Sequence, residues 1–227
     1  MCLLSYVKLD DQLVITSNRD ISIKRPAATP INQHHINGKS MHFPRDHKGG
    51  SWLVHNDHSI VILLNGGDEN HVPLSHYRKS RGLILLEIFS SMHFLKSWED
   101  HDLSNIEPFT LIFLSLGSSL QMDSQQTSEK ELHKLVWDGE NKHQQILDPK
   151  QNHIWLSSTL YEPQEKEAVI SIFETKKFTS SEEILTFNCK NNYTALKKDK
   201  GIDHICTTCH HQFIVNLKVE LKSEIFN

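Results

Sequence analysis

Apolar positions along this chain fall in short runs, and the runs predict more strands than helices. Residues 2–7 are apolar and residues 12–17 read as a second strand, with Asp10-Asp11 between them as a hairpin turn. Two prolines within 25–30 impose an extended loop. Residues 51–55 and 59–64 predict a second hairpin around Asn56-Asp57. Ile60, Val61, Ile62, Leu63 and Leu64 are apolar without alternation, so that strand should be covered on both faces. Residues 80–90 open on Ser and repeat Leu, Ile and Phe at helical spacing, which predicts a helix. A buried strand is expected over 109–116, then shorter strands at 120–122, 132–137 and 144–147, with Asp138-Gly139 as a turn. Helices are predicted over 165–175 and 181–188, where Ser180-Ser181-Glu182-Glu183 supplies a cap and first-turn acids. Phe213, Val215, Leu217, Val219 and Leu221 alternate with mostly polar residues, the pattern of a half-buried strand over 212–221. Strands at both ends, helices between them and frequent hairpins give an α+β class built on antiparallel sheets. No repeat or linker divides the chain, which reads as a single domain over 1–227.

Composition narrows the function classes. The chain has 227 residues, enough for a substantial core, and a formal net charge of -4 with acids and bases spread along its length. It lacks the basic stripe that neutralises a phosphate backbone, so nucleic acid is not an expected partner. Lys197, Lys198 and Lys200 are flanked by Asp199 and Asp203 and read as a solvated loop. No apolar run approaches the roughly 20 residues that span a bilayer, and the start lacks an export signal. Four cysteines in such a chain should stay reduced, and a cytoplasmic address is expected. The sixteen histidines read mostly as surface residues, with His34-His35 and His210-His211 in loop-like or turn-like contexts.

The candidate chemistry starts at Cys2. An aminopeptidase removes Met before a small residue, and a chain that then begins with cysteine carries a nucleophile and a base in one residue. The thiol attacks as thiolate, and the free α-amine, with a reference pKa of about 8, can take its proton. Antiparallel pairing of the first hairpin brings Ser17-Asn18-Arg19-Asp20 back beside the N-terminus. There the Arg19 guanidinium favours thiolate and the Asp20 carboxylate can hold or orient the amine; a salt-bridged strand end is the plain alternative. Asn65, ending the 59–64 strand before Gly66-Gly67, can donate to a developing oxyanion or simply make a turn. Trp52, Phe109, Phe113 and Trp155 read as core, with a pocket wall as the alternative for one ring. Tyr77-Arg78-Lys79-Ser80-Arg81 is a basic lead-in to a helix, and Arg78 and Arg81 are candidates for a substrate carboxylate or a haem propionate. Cys206-Thr207-Thr208-Cys209-His210 has the spacing of covalent haem attachment, zinc binding or redox cycling, but structural cysteines are the preferred reading. No metal site is expected.

Met1-Cys2-Leu3-Leu4, Ser17-Asn18-Arg19-Asp20, Arg25-Pro26, Phe43-Pro44-Arg45-Asp46, Gly49-Gly50-Ser51-Trp52-Leu53 and Leu63-Leu64-Asn65-Gly66 occur in the order and spacing of the NRDE family, also named for transport and Golgi organisation protein 2. Tyr77-Arg78-Lys79-Ser80-Arg81-Gly82, Glu107-Pro108-Phe109-Thr110, Trp137-Asp138-Gly139 and the stretch from Ile154 to Tyr161 extend the resemblance, which covers about residues 1–165 well and the rest loosely. The family is similar to the N-terminal-nucleophile hydrolases, which cleave amide bonds from an α-β-β-α four-layer sandwich of two antiparallel sheets. The resemblance implies Cys2 as nucleophile and base, Arg19 and Asp20 as its organisers, and Asn65 at the oxyanion. Asn18, Trp52, Arg78, Arg81 and Ser158 are taken as the candidate substrate contacts. By the same resemblance the Cys206–Cys209 stretch is a late strand. Two positions depart from the family: Ile21 stands where the name motif has Glu, and Ser158 where many members carry Asn.

Two functions follow as expectations. One is an amidase or acylase that acts on a small linear amide through an acyl-Cys2 intermediate and needs no cofactor. The other is a non-catalytic carrier of haem or another hydrophobic ligand on the same fold, with Cys2 or a histidine as axial ligand.

Overall fold

The computed structural model describes residues 3–22, 24–117, 130–191, 205–216 and 221–226. Its backbone divides into two compact units, Met1–Arg25 with Lys150–Asn227, and Pro26–Pro149. The described residues form an α+β structure with two antiparallel sheets and four helices. None of these helices is long and apolar enough to cross a membrane.

The first unit holds strands β1 (Leu3–Leu9) and β2 (Gln12–Ser22), and after the second unit β10 (His153–Leu156), helices α3 (Pro163–Thr175) and α4 (Ser181–Lys190), then β11 (Ile205–Asn216) and β12 (Leu221–Phe226). The strands order as β10-β1-β2-β11-β12. Asp10, at φ 28, turns β1 into β2 where the sequence places the turn. Leu3, Val7 and Val14 on the sheet meet Val169 and Phe173 of α3 and Ile184 and Phe187 of α4. Pro at the first turn of α3 and Ser180 at α4 set the helix starts; Ser180 Oγ accepts from the Glu183 amide at 3.2 Å.

A buried polar network registers α4 on this sheet. Ser5 Oγ donates to Asn188 Oδ1 at 2.9 Å, and Asn188 Nδ2 donates to the Thr16 carbonyl at 2.9 Å. Asn18 Nδ2 donates to the Asn188 carbonyl at 3.0 Å. Gln212 Nε2 donates to Thr16 Oγ1 at 2.9 Å and to the Ser181 carbonyl at 3.0 Å. Strands β1, β2 and β11 and both ends of α4 are thereby joined by direct hydrogen bonds.

The second unit begins with β3 (Asn32–Ile36), β4 (Lys39–Phe43), β5 (Leu53–His55) and β6 (Ser59–Asn65). Helices α1 (Arg81–Phe89) and α2 (Phe94–Asp100) follow, then β7 (Phe109–Ser115), β8 (Glu131–Trp137) and β9 (Lys142–Leu147). The seven strands run in chain order, each antiparallel to the next. Val61, Leu63, Leu111 and Leu135 face Ile84, Leu85, Ile88 and Trp98 of α1 and α2. The start of α1 is seated by glycine: a Cβ on Gly82 would lie 2.6 Å from the Ser51 carbonyl oxygen and 2.9 Å from its nitrogen.

Several sequence expectations need correction. The chain around His34-His35 is not a loop: Asn37 (φ 52) and Gly38 (φ 75) make the tight turn of a β3–β4 hairpin, and His34 stacks on Phe43 with centroids 4.0 Å apart. His210-His211 likewise lies within β11. The strand expected over 212–221 is two strands, β11 and β12, paired from His210↔Phe226 to Val215↔Leu221. Strand β2 does not close at Asp20 but runs on to Ser22, because β11 pairs with it to the end. The strand expected at 120–122 and the lysines at 197–200 lie outside the described residues.

Strand β4 meets β5 through one registered pair, His42↔His55, whose rings stack 5.1 Å apart at 17°. Burial, and then the neighbouring His42, lower the His55 pKa to about 4, against the opposing effect of Asp57.

Three predictions follow. Gly82→Ala should lower the melting temperature despite a gain in helix propensity of about 1 kcal/mol, since the new Cβ meets backbone; a loss of roughly 4 °C or more in thermal unfolding is expected. Asn188→Ala should destabilise by about 2–4 kcal/mol in denaturant titration, because it strands the buried Ser5 hydroxyl; adding Ser5→Ala should recover part of that loss. For His55, a folded-state pKa below that of the unfolded chain leaves stability intact above pH 6.5 and erodes it as pH falls toward about 4. His55→Phe should therefore lose less melting temperature than wild type between pH 7 and pH 4.5, with a limiting difference of about 3 kcal/mol; parallel curves would refute this.

Candidate active site

Asn18, Arg19, Asp20 and Ser158, four of the candidates from the sequence, lie beside the start of β1. Leu3, the first described residue, pairs with Asn18 on β2 and with Leu156 on β10. The next residues of β2 are Arg19 and Asp20, and the next after β10 are Ser157 and Ser158. The start of β1 is thus flanked by Arg19-Asp20 on one side and Ser157-Ser158 on the other, and all four side chains are buried. Cys2, the candidate nucleophile, lies outside the described residues.

Burial of Arg19 and Asp20, each 3% exposed, is itself informative. Charged groups are rarely taken out of water unless they are paired or functional. Neighbours on a strand point to opposite faces, so Arg19 shares the face of Ser17 while Asp20 shares that of Asn18. The β2–β11 ladder slips beside these two residues: Thr207 faces Asp20 and Cys209 faces Arg19, leaving Thr208 as the extra residue. Such bulges re-aim a strand locally and recur near functional sites. The Cys206–Cys209 segment is therefore strand, as the resemblance implies.

Asn18 is committed to α4 through its bond to the Asn188 carbonyl. Ser158 sits in the turn after β10, where Leu160 and Tyr161 amides donate to the Ser157 carbonyl and Ser157 Oγ meets Thr159 Oγ1 at 3.0 Å. The Ser158 hydroxyl is buried and has no hydrogen-bond partner, and the same holds for Ser17. Ser17 stands in register with Leu4 on one side and with His211, also buried, on the other.

The remaining candidates belong to the second unit. Asn65 closes β6 opposite Phe109, before Gly66 at φ 83, whose amide donates to the Pro108 carbonyl at 3.0 Å. Trp52 is buried and its carbonyl accepts from the Leu63 amide at 2.8 Å. Arg78 Nη2 donates to the Asp102 carbonyl at 2.6 Å and lies 3.3 Å from the Asp102 carboxylate, while Nε donates to the Ser104 carbonyl. Arg81 pairs with Glu107 at 3.0 Å and donates to the Pro108 carbonyl at 3.1 Å. Both arginines tie the approach to α1 onto the 102–108 segment.

Among the described residues no group of three or more His, Cys, Asp or Glu side chains is placed to hold a metal ion. The Cys189 thiol on α4 is pushed above its ordinary pKa by burial, the opposite of an activated nucleophile. Sequence reasoning gave Ser17 and His211 no site role and did not foresee the bulge. Their common signal is a polar interruption of apolar strand faces, visible only once β11 is known to pair with β2.

No curated protein matches the chain. The family described as Transport and Golgi organisation 2 matches residues 1–223, a span that includes every candidate named above, and the chain belongs to that family, which is the NRDE family.

Proposed function

We propose that this protein is an N-terminal cysteine hydrolase that cleaves the C–N bond of a small linear amide, on an α-β-β-α fold like that of the N-terminal-nucleophile hydrolases. The observation that carries the reading is the placement of Leu3 between Asn18 and Leu156, with buried Arg19 and Asp20 next on β2. The residue before Leu3 is Cys2.

In this mechanism Met1 is removed and the α-amine of Cys2 accepts the thiol proton. The thiolate bonds to the amide carbonyl carbon, and the C–N bond breaks as the amine leaving group takes the proton from the α-ammonium. Water then attacks the thioester, giving the acid and restoring the thiol. Arg19 favours the thiolate and Asp20 orients the amine, while Asn65 keeps, by resemblance alone, the role of oxyanion donor. A reduced thiol fits a cytoplasmic address.

Intact mass should show the chain beginning at Cys2. With short-chain acyl 4-nitroanilides as probes, wild type should release nitroaniline, and Cys2→Ala should lose activity by on the order of a thousandfold with an unchanged melting temperature. Retained Met1, or hydrolysis undiminished in Cys2→Ala, would overturn the mechanism. Retained Met1 would leave the ligand-carrier reading in its place.

A further inference from the structure

The face of the five-stranded sheet that carries Ser17 is mostly apolar. Tyr6 on β1, Ile15 on β2 and Phe213 on β11 are buried there in register, and the next step is Leu4, Ser17 and His211. Arg19 follows on the same face of β2. A short polar patch of Ser17, Arg19 and His211 thus interrupts the apolar face at the end where β1 begins.

Ser17, like Ser158, is a buried residue that stability does not explain, and it is the one that lies on this face. Its side chain is 0% exposed and its hydroxyl has no hydrogen-bond partner. One strand away Ser5, equally buried, gives its proton to Asn188. A buried hydroxyl without a partner costs about 1–3 kcal/mol, and Ala would fill nearly the same space without that penalty. Orphaned buried polar groups of this kind mark a catalytic role or a water.

We propose, on the acyl-Cys2 reading above, that Ser17 holds the water that hydrolyses the thioester, with the His211 imidazole as the second polar wall of its niche. A buried water needs at least about two polar partners, and a serine hydroxyl and an imidazole in register on adjacent strands supply them. The step balances simply. The water oxygen bonds to the thioester carbon and one water proton passes to the Cys2 α-amine. The C–S bond breaks with its electron pair on sulfur, which recovers the proton from the amine as the acid departs. Ser17 orients the water and exchanges no proton in the net reaction.

The test separates acylation from deacylation. 4-Nitrophenyl acetate serves as an acylating probe, nitrophenolate release reports acylation, and intact mass follows the acetyl adduct on Cys2. Ser17→Ala should acylate at the wild-type rate, deacylate at least about tenfold more slowly, and melt at or above the wild-type temperature. Ser17→Thr, which keeps the hydroxyl, should deacylate faster than Ser17→Ala. Deacylation of Ser17→Ala at the wild-type rate would overturn the assignment and leave the nucleophile intact. Slowed acylation with normal deacylation would overturn it too, in favour of a substrate contact. Absence of any Cys2 adduct in wild type would sink the hydrolase reading itself.

Discussion

The first strand of the chain is hydrogen-bonded on both sides, and the candidate site depends on that constraint. Chain termini ordinarily fray, because ordering them costs backbone entropy that few contacts offset. Here β1 lies between β10 and β2, and Leu3 is paired with Asn18 and Leu156 at the same time. Ladder hydrogen bonds from two neighbours oppose the fraying at the very residue where it would start. On the acyl-cysteine reading, this ordering of the Leu3 backbone is the fold's first contribution to positioning.

The two units seat their helices by different means. In Pro26–Pro149 the start of α1 rests directly on backbone, with Gly82 against Ser51, and an apolar core does the rest. Close approach of this kind tolerates no side chain but specifies little about rotation. In the other unit α4 is fixed by directional bonds through Asn188 and Gln212. Buried polar networks are satisfied in one arrangement only, so they specify register more sharply than apolar contact does. That precision falls on β1 and on β2 and β11, the two strands that carry the buried polar patch.

Legibility from sequence followed locality. The β1–β2 hairpin, α1 and the cap of α4 rest on neighbours within a few residues, and their patterns were readable. Arg19 and Asp20 were readable for the same reason, since a tight turn at Asp10-Asp11 fixes which residues return to the chain start. Strand β3 was not legible because it is an edge strand of Asn, Gln and His with Ile36 as its single apolar residue, although Asn37-Gly38 carried the turn signal. Helix α2 buries only Trp98 and leaves little periodicity. Strand β10 and the early part of β11 pair with partners more than 130 residues away, so nothing local announces them. His211, and with it the polar neighbour of Ser17, was hidden by that distance.

The departure at position 21 looks different once the strand is known. Read alone, Ile21 in place of Glu removes a carboxylate from the neighbourhood of the nucleophile. In the structure Ile21 is a buried residue of β2, paired with Cys206 within the ladder. A carboxylate in that position would need its own partner to offset the loss of hydration. By strand alternation it would share the face of Arg19, two residues away, and a carboxylate there would offset the guanidinium that favours thiolate. On the acyl-cysteine reading, isoleucine leaves the Arg19 guanidinium without a competing carboxylate on its own face of β2. The substitution then removes an anion that opposes thiolate formation, so a change that sequence comparison counts as a loss is compatible with an active nucleophile.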